Sequence, residues 1–149
     1  MQAGCEIKYQ AWLHEEKEMV DVAAIDLLEK RIEYYDLSSC QNDAEKFEVL
    51  RGAPNADCPF ERCTLRRYTG LLDKNGKEIY ESDILLESLS FDEKYAHVVV
   101  WSQDDCAWMF EYDGDLFTAS EMNFEQCEIV GNVYDKPELL EVVNDASRT

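Results

Sequence analysis

Positive charge is what this chain has least of. Fourteen lysines and arginines stand against 33 aspartates and glutamates in 149 residues, a formal net charge of −19 at pH 7. From Trp101 onward only Lys136 and Arg148 are basic. A protein that binds a polyanion displaces condensed counterions with its own cations, so direct binding of nucleic acid is not expected. Nor is attraction to an anionic membrane. Histidine is scarcer still: His14 and His97 lie far apart and without ligand spacing, which removes the paired-histidine metal motifs. No apolar run approaches the roughly 18 residues of a membrane helix. The opening "MQAGCEIKYQAW" has neither a basic leader nor an apolar stretch behind it, so a cytoplasmic location in the host cell is expected. A G-x-S-x-G elbow and a phosphate-cradling glycine loop are both missing, and no repeat or low-complexity tract interrupts the chain.

What is present supports a packed core: 46% of residues are hydrophobic and 11% aromatic. Six cysteines (Cys5, Cys40, Cys58, Cys63, Cys106 and Cys127) are expected as reduced thiols. The "CPFERC" pair lacks the second pair that a zinc site wants, so no metal and no cofactor are expected. "DDC" and "EYDGD" do not have the spacing of a calcium loop. The excess acid suits a basic partner and can steer encounter with one, although acid also serves solubility.

Along the chain, "EIKYQAW" alternates Ile7, Tyr9 and Ala11 against Lys8, Gln10 and Trp12, the pattern of a strand. A second strand is expected from about Met19 to Ile25. In "DLLEKRIEYYDL", Leu27, Leu28 and Ile32 fit a short helix, but Tyr34 and Tyr35 favour a strand. "DAEKFEVLRGA" fits a short helix or an extended segment, and "GAPNADCPF" reads as a loop. Beyond it, Asn75-Gly76 and Asp113-Gly114 are two-residue hairpin signals. "YAHVVVWS" reads as a strand buried on both sides. Gly131 in "FEQCEIVGNVY" suggests a bulge or a close backbone approach. "DKPELLEVV" suits a short C-terminal helix or a tail. The fold class is mainly β (α+β), with the close spacing of strands arguing a small, partly open barrel. The expected division is 1–62, 63–134 and a tail at 135–149.

The stretch "RRYTGLLDKNGKEIYESDIL", residues 66–85, together with "EIKYQAW", "VVVW" and "EIVGNVYDKPELL", resembles the YopX-like proteins of phages and prophages. The resemblance is dense in the C-terminal half and thin before it; residues 27–62 match nothing in the pattern. It implies an SH3-like β-barrel with an N-terminal α/β addition, and a home in a mobile genetic element. It carries no catalytic residues. Ser82 stands where the family usually has glycine, and Gln10 and Leu13 where Arg and Asp are common, so an Arg–Asp pair there would be lost. The residues of the signature also have a plain folding role: Tyr68 a large contact, Gly70 a sharp turn, Asp83 an acceptor for backbone N–H groups.

Charge and ancestry together give the functional expectation. It is a non-enzymatic, acidic binding protein that occupies the basic nucleic-acid-binding groove of a host or defence protein, for example a CRISPR nuclease. The partner-binding candidates are Asp104, Asp105, Trp108, Glu111, Asp113 and Asp115, expected to cluster near one hairpin. The alternative is a self-associating assembly module, in which the basic residues Arg66, Arg67, Lys74 and Lys77 of one copy meet the acid of the next.

Overall fold

The computed structural model describes residues 6–139. Among them the protein is mainly β, with eleven strands in two antiparallel sheets and one α-helix. No closed barrel is found among the described residues. None of the helices described is long and apolar enough to cross a membrane. The chain divides into two compact units, one of residues Lys8–Arg66 and one from Arg67 onward that also takes the N-terminal residues up to Ile7.

The N-terminal unit holds β1 (Tyr9–Leu13), β2 (Glu18–Asp26), β3 (Arg31–Tyr34), α1 (Asp43–Arg51), β4 (Ala56–Pro59) and the start of β5 (Cys63–Leu72). Its strands run in the order β4-β3-β2-β1-β5. Cross-strand partners Ala11 and Val20, Ile25 and Ile32, and Ile32 and Cys58 share one face, and that face is the core. Ala11, Leu13, Ile32, Cys58 and Cys63 are buried there, with Val20, Val22 and Tyr34 packed against them. Leu27 and Leu28 belong to the β2–β3 turn and are exposed. The strand reading of this stretch therefore holds only from Arg31. The stretch left open between helix and extended is helical because Asn42 caps it: its Oδ1 accepts the N–H of Glu45 at 2.9 Å, while the Glu45 carboxylate accepts the N–H of Gln41. No residue of α1 is buried. The expected loop 52–60 contains a short strand, β4, which forms because Cys58 finds a place against Ile32.

The C-terminal unit takes the rest of β5, then β6 (Glu78–Tyr80), β7 (Asp83–Ser88), β8 (Lys94–Ser102), β9 (Ala107–Tyr112), β10 (Asp115–Phe117) and β11 (Cys127–Asn132). Five of these strands lie in the order β10-β9-β8-β7-β11. Ile79, Leu85, Val99, Phe110, Met122 and Cys127 form the core, closed by Leu71, Phe117 and Phe124. The apolar run of β8 is not buried on both sides: His97 and Val99 face the core, while Val98 and Val100 are only half-buried. β9 and β10 form the expected two-residue hairpin, Tyr112 opposite Asp115, with φ of 50° at Asp113 and 83° at Gly114.

Asn75-Gly76 does not form the matching turn. Only Gly76 is left-handed, at φ 78°, and its N–H donates to the Asp73 carbonyl while the Asp73 N–H donates to the Lys77 carbonyl. The loop is thus three residues long. The Asp73 side chain selects it, since Oδ1 accepts the N–H groups of Asn75 and Lys77, and Oδ2 accepts that of Ile129. Gly131 meets both readings: β11 shifts register between Ile129 and Gly131, and a Cβ there would lie 3.0 Å from a Leu139 methyl. The expected tail at 135–149 lies outside the described residues from position 140.

Candidate functional site

The sequence-derived binding residues separate into two places because β9 stands between them. Asp104 and Asp105 occupy the β8–β9 turn, and Asp113 and Asp115 flank the β9–β10 turn at the opposite end of a six-residue strand. At ~3.3 Å per residue the two tips are about 20 Å apart. They do not make one patch. Glu111 is exposed and alternates away from the face of β9 that carries Trp108, so it joins neither.

The β8–β9 tip is the better-built of the two. Trp101 and Trp108 are cross-strand partners at its base, with ring centroids 5.1 Å apart and planes 72° from parallel. The Arg67 guanidinium lies 4.9 Å from each ring centroid, a double cation–π contact, and comes within 4.0 Å of the Glu81 carboxylate. The Trp101 Nε1–H donates to Gln103 at 3.1 Å. Ser102 ties the turn by donating to Asp105 Oδ2 at 2.8 Å and accepting the Asp105 N–H. Cys106 takes the left-handed conformation that closes the tip, at φ 50°. The result is a half-buried aromatic platform, Trp108 packed against the core and stiffened by an arginine, beneath an exposed turn carrying two carboxylates. Sequence reading placed Trp108 in this site but did not pair it with Trp101 or Arg67. The tryptophans sit symmetrically about "SQDDCA", so a register argument could have paired them. Nothing local marks Arg67, 34 residues before Trp101.

The four basic residues are dispersed. Arg66 and Arg67 are neighbours on a strand and project to opposite faces. Arg66 is buried, and its Nε donates to Gln10 Oε1 at 3.0 Å. Gln10 in turn donates to Asp21 at 2.9 Å, so a neutral amide links a cation and an anion at the position where the family resemblance suggested a lost ion pair. Arg67 is engaged by the tryptophans, and Lys74 pairs with Glu128 at 3.4 Å. Lys77 remains exposed on its hairpin.

Two buried ionisable groups need a physical account. Burial alone would raise the Asp73 pKa, but the N–H groups of Ile129, Lys77 and Asn75, with the Lys77 charge, outweigh it and hold it below the ordinary value. His97 is 4% exposed, between the rings of Tyr112 and Phe117, and its Nδ1 makes no hydrogen bond. Burial drives its pKa below 6.5, against the opposing pull of Glu87 and the Tyr95 backbone. Such a histidine is held neutral in a closed core. Among the described residues, no group of three or more His, Cys, Asp or Glu side chains is placed to hold a metal ion.

Comparison with known proteins agrees with this architecture. The chain is similar to protein EF1440 from Enterococcus faecalis, whose crystal structure aligns with a TM-score of 0.57 at 21% identity, covering 92% of this chain and 99% of that one. It is similar also to YopX from Bacillus subtilis, with a TM-score of 0.55 at 17% identity over 89% of this chain and 96% of the other. At such identities the likeness is one of fold. No curated protein matches the chain. The family model described as YopX protein matches residues 8–141, nearly the whole of both units, and the chain belongs to the YopX family.

Proposed function

We propose that this protein is a non-enzymatic binding protein that engages a basic partner through the β8–β9 tip. One observation carries the reading: two exposed carboxylates stand beside a half-buried tryptophan pair held by Arg67. An aromatic anchor with a charged rim is the composition of a binding hot spot, and the charge of −19 adds long-range attraction for cations. The concrete partner is a basic nucleic-acid-binding groove of a host or defence protein, such as a CRISPR nuclease, where Asp104 and Asp105 take the place of phosphates. The phage and prophage resemblance supports a partner of that kind. Self-association through Arg66, Arg67, Lys74 and Lys77 is the weaker reading, because three of the four are engaged within their own chain. We also infer that the C-terminal sheet is SH3-like. A last strand, β11, that returns beside β7 after short 3-10 turns is the arrangement from which an SH3-like barrel curls.

The test is recovery of partners from host lysate on the tagged protein at low and high salt, identified by mass spectrometry, followed by purified binding. A basic partner lost at high salt is expected, with Asp104→Lys/Asp105→Lys weakening it about tenfold or more. Trp108→Ala weakens it too, and Asp113→Lys/Asp115→Lys leaves it nearly unchanged. Binding that survives reversal of the Asp104 and Asp105 charges overturns the assignment.

A further inference from the structure

The N-terminal unit contains a groove of about 610 Å³ that the hairpin-tip reading does not use. It opens over the core face of the small sheet, lined by Leu13, Val20 and Tyr34, with Leu37 and α1's Leu50 beside them. In most αβ units the helix covers that face. Here α1 buries none of its residues, and Leu50 and Phe47, one turn apart, stay 49% and 62% exposed. The apolar surface of the sheet and of the helix is thus left partly unpaired along the same opening.

The charge around it is one-sided. Glu16, Glu18, Asp21 and Asp36 line the groove, against a single Lys46. Asp21 and Asp36 are occupied by Gln10 and by the Ser38 N–H, at 2.9 Å each. The Glu16 and Glu18 carboxylates make no hydrogen bond or ion pair among the described residues. Tyr34 senses the same field: burial first, then the charges of Glu16, Asp36, Cys58 and Glu18, push its pKa above the ordinary value.

From this juxtaposition we propose that the groove is a docking site for a basic amphipathic peptide segment of a partner protein. The segment's apolar side chains would cover Val20, Tyr34 and Leu50, and its lysines or arginines would meet Glu16 and Glu18. Charge complementarity selects this occupant. Nucleic acid and a second copy of this acidic chain would both be repelled, and the apolar floor gives a bare cation nothing to cover. The proposal stands apart from the hairpin tip, which lies in the other unit.

The probe is a synthetic peptide of about 14 residues, roughly four helical turns, with leucine along one side and lysine along the other. It is titrated calorimetrically into the full chain. Saturable, salt-sensitive binding is expected. Glu16→Lys/Glu18→Lys weakens it at least about tenfold. Leu50→Asp, at a position 49% exposed, also weakens it, with far-UV circular dichroism confirming the helix. Asp113→Lys/Asp115→Lys makes the same change in net charge at exposed residues outside both sites and leaves the affinity within about twofold, as expected of distant sites. Equal losses from the two charge-reversed pairs would make the binding general electrostatics and overturn the proposal. So would an absence of binding, equal binding of a glutamate-for-lysine peptide, or spermidine displacing the peptide at matched concentration. None of these results bears on the tip, whose own variants are read against its own partner.

Discussion

Phe110 is fully buried in the C-terminal unit, whereas Phe47, on α1 of the N-terminal unit, is 62% exposed. The contrast extends to the whole of each unit. In the C-terminal unit, Ile79, Leu85, Val99, Phe110 and Cys127 have no accessible surface, and three buried acids, Asp73, Asp83 and Glu87, tie loops to strands through backbone N–H groups. In the N-terminal unit the core is a single sheet face, and the one helix lies open beside it. A unit with a closed core resists change and can hold a stiff hairpin tip. A unit with an incomplete core keeps apolar surface that something else can cover.

The largest break in that comparison comes from the two phenylalanines. Phe110→Ala is expected to cost about 4 kcal/mol, and Phe47→Ala to stay within about 0.5 kcal/mol, both read from urea midpoints. Comparable losses would mean that α1 is covered in solution. Next comes Asp73→Ala, which strands three backbone N–H groups and is expected to cost about 2–3 kcal/mol at neutral pH. Because the native pKa of Asp73 is depressed, its contribution is present above the ordinary carboxylate range and is lost as pH falls through it towards the lower native value. The gap between the parent and Asp73→Ala should close in acid, and a gap constant with pH would refute the ionised hub.

His97 gives a smaller effect in a different window. Its native pKa is lowered, so the unfolded chain takes up the proton first, and stability declines as pH drops below about 6.5. His97→Leu should flatten that part of the stability–pH curve and leave the carboxylate part in place. The smallest change is a gain. Ser82 sits at φ 71°, strained for any residue but glycine, while its backbone groups bond Val99 and Val133. Ser82→Gly relieves the left-handed conformation at some cost in chain entropy, for a net stabilisation of about 0.5 kcal/mol. A loss of stability would show that the hydroxyl has its own role.

How much of this was legible depended on whether the deciding interaction was local. Asp113-Gly114 was read correctly because both residues of a two-residue turn carry the signal themselves. Asn75-Gly76 carries an equivalent signal and forms a different turn, because a side chain two residues earlier caps it and draws Ile129 in from 56 positions away. The strand at Ile32 was visible, but the exposure of Leu27 and Leu28 was not, since a turn can hold leucines that no pattern excuses. The acidic candidates failed to cluster for a geometric reason. Residues a few positions apart look adjacent on paper, yet a strand between two turns carries them to opposite ends.

The cysteines hold a last consequence. Cys58 and Cys63 are buried in the core of one unit and Cys127 in that of the other, and Cys106 lies exposed at the hairpin tip. Burial and a neighbouring thiol push Cys63 up to about 11, and burial with the charges of Glu87 and Asp73 pushes Cys127 up to about 12, so neither reacts while its core stays shut. With Cys5, Cys40 and Cys106 replaced by serine, the rate at which a thiol reagent reaches the remaining three becomes a record of local opening. Two of those thiols time the breathing of the N-terminal unit and the third that of its neighbour, so the chain carries separate stopwatches for its two halves.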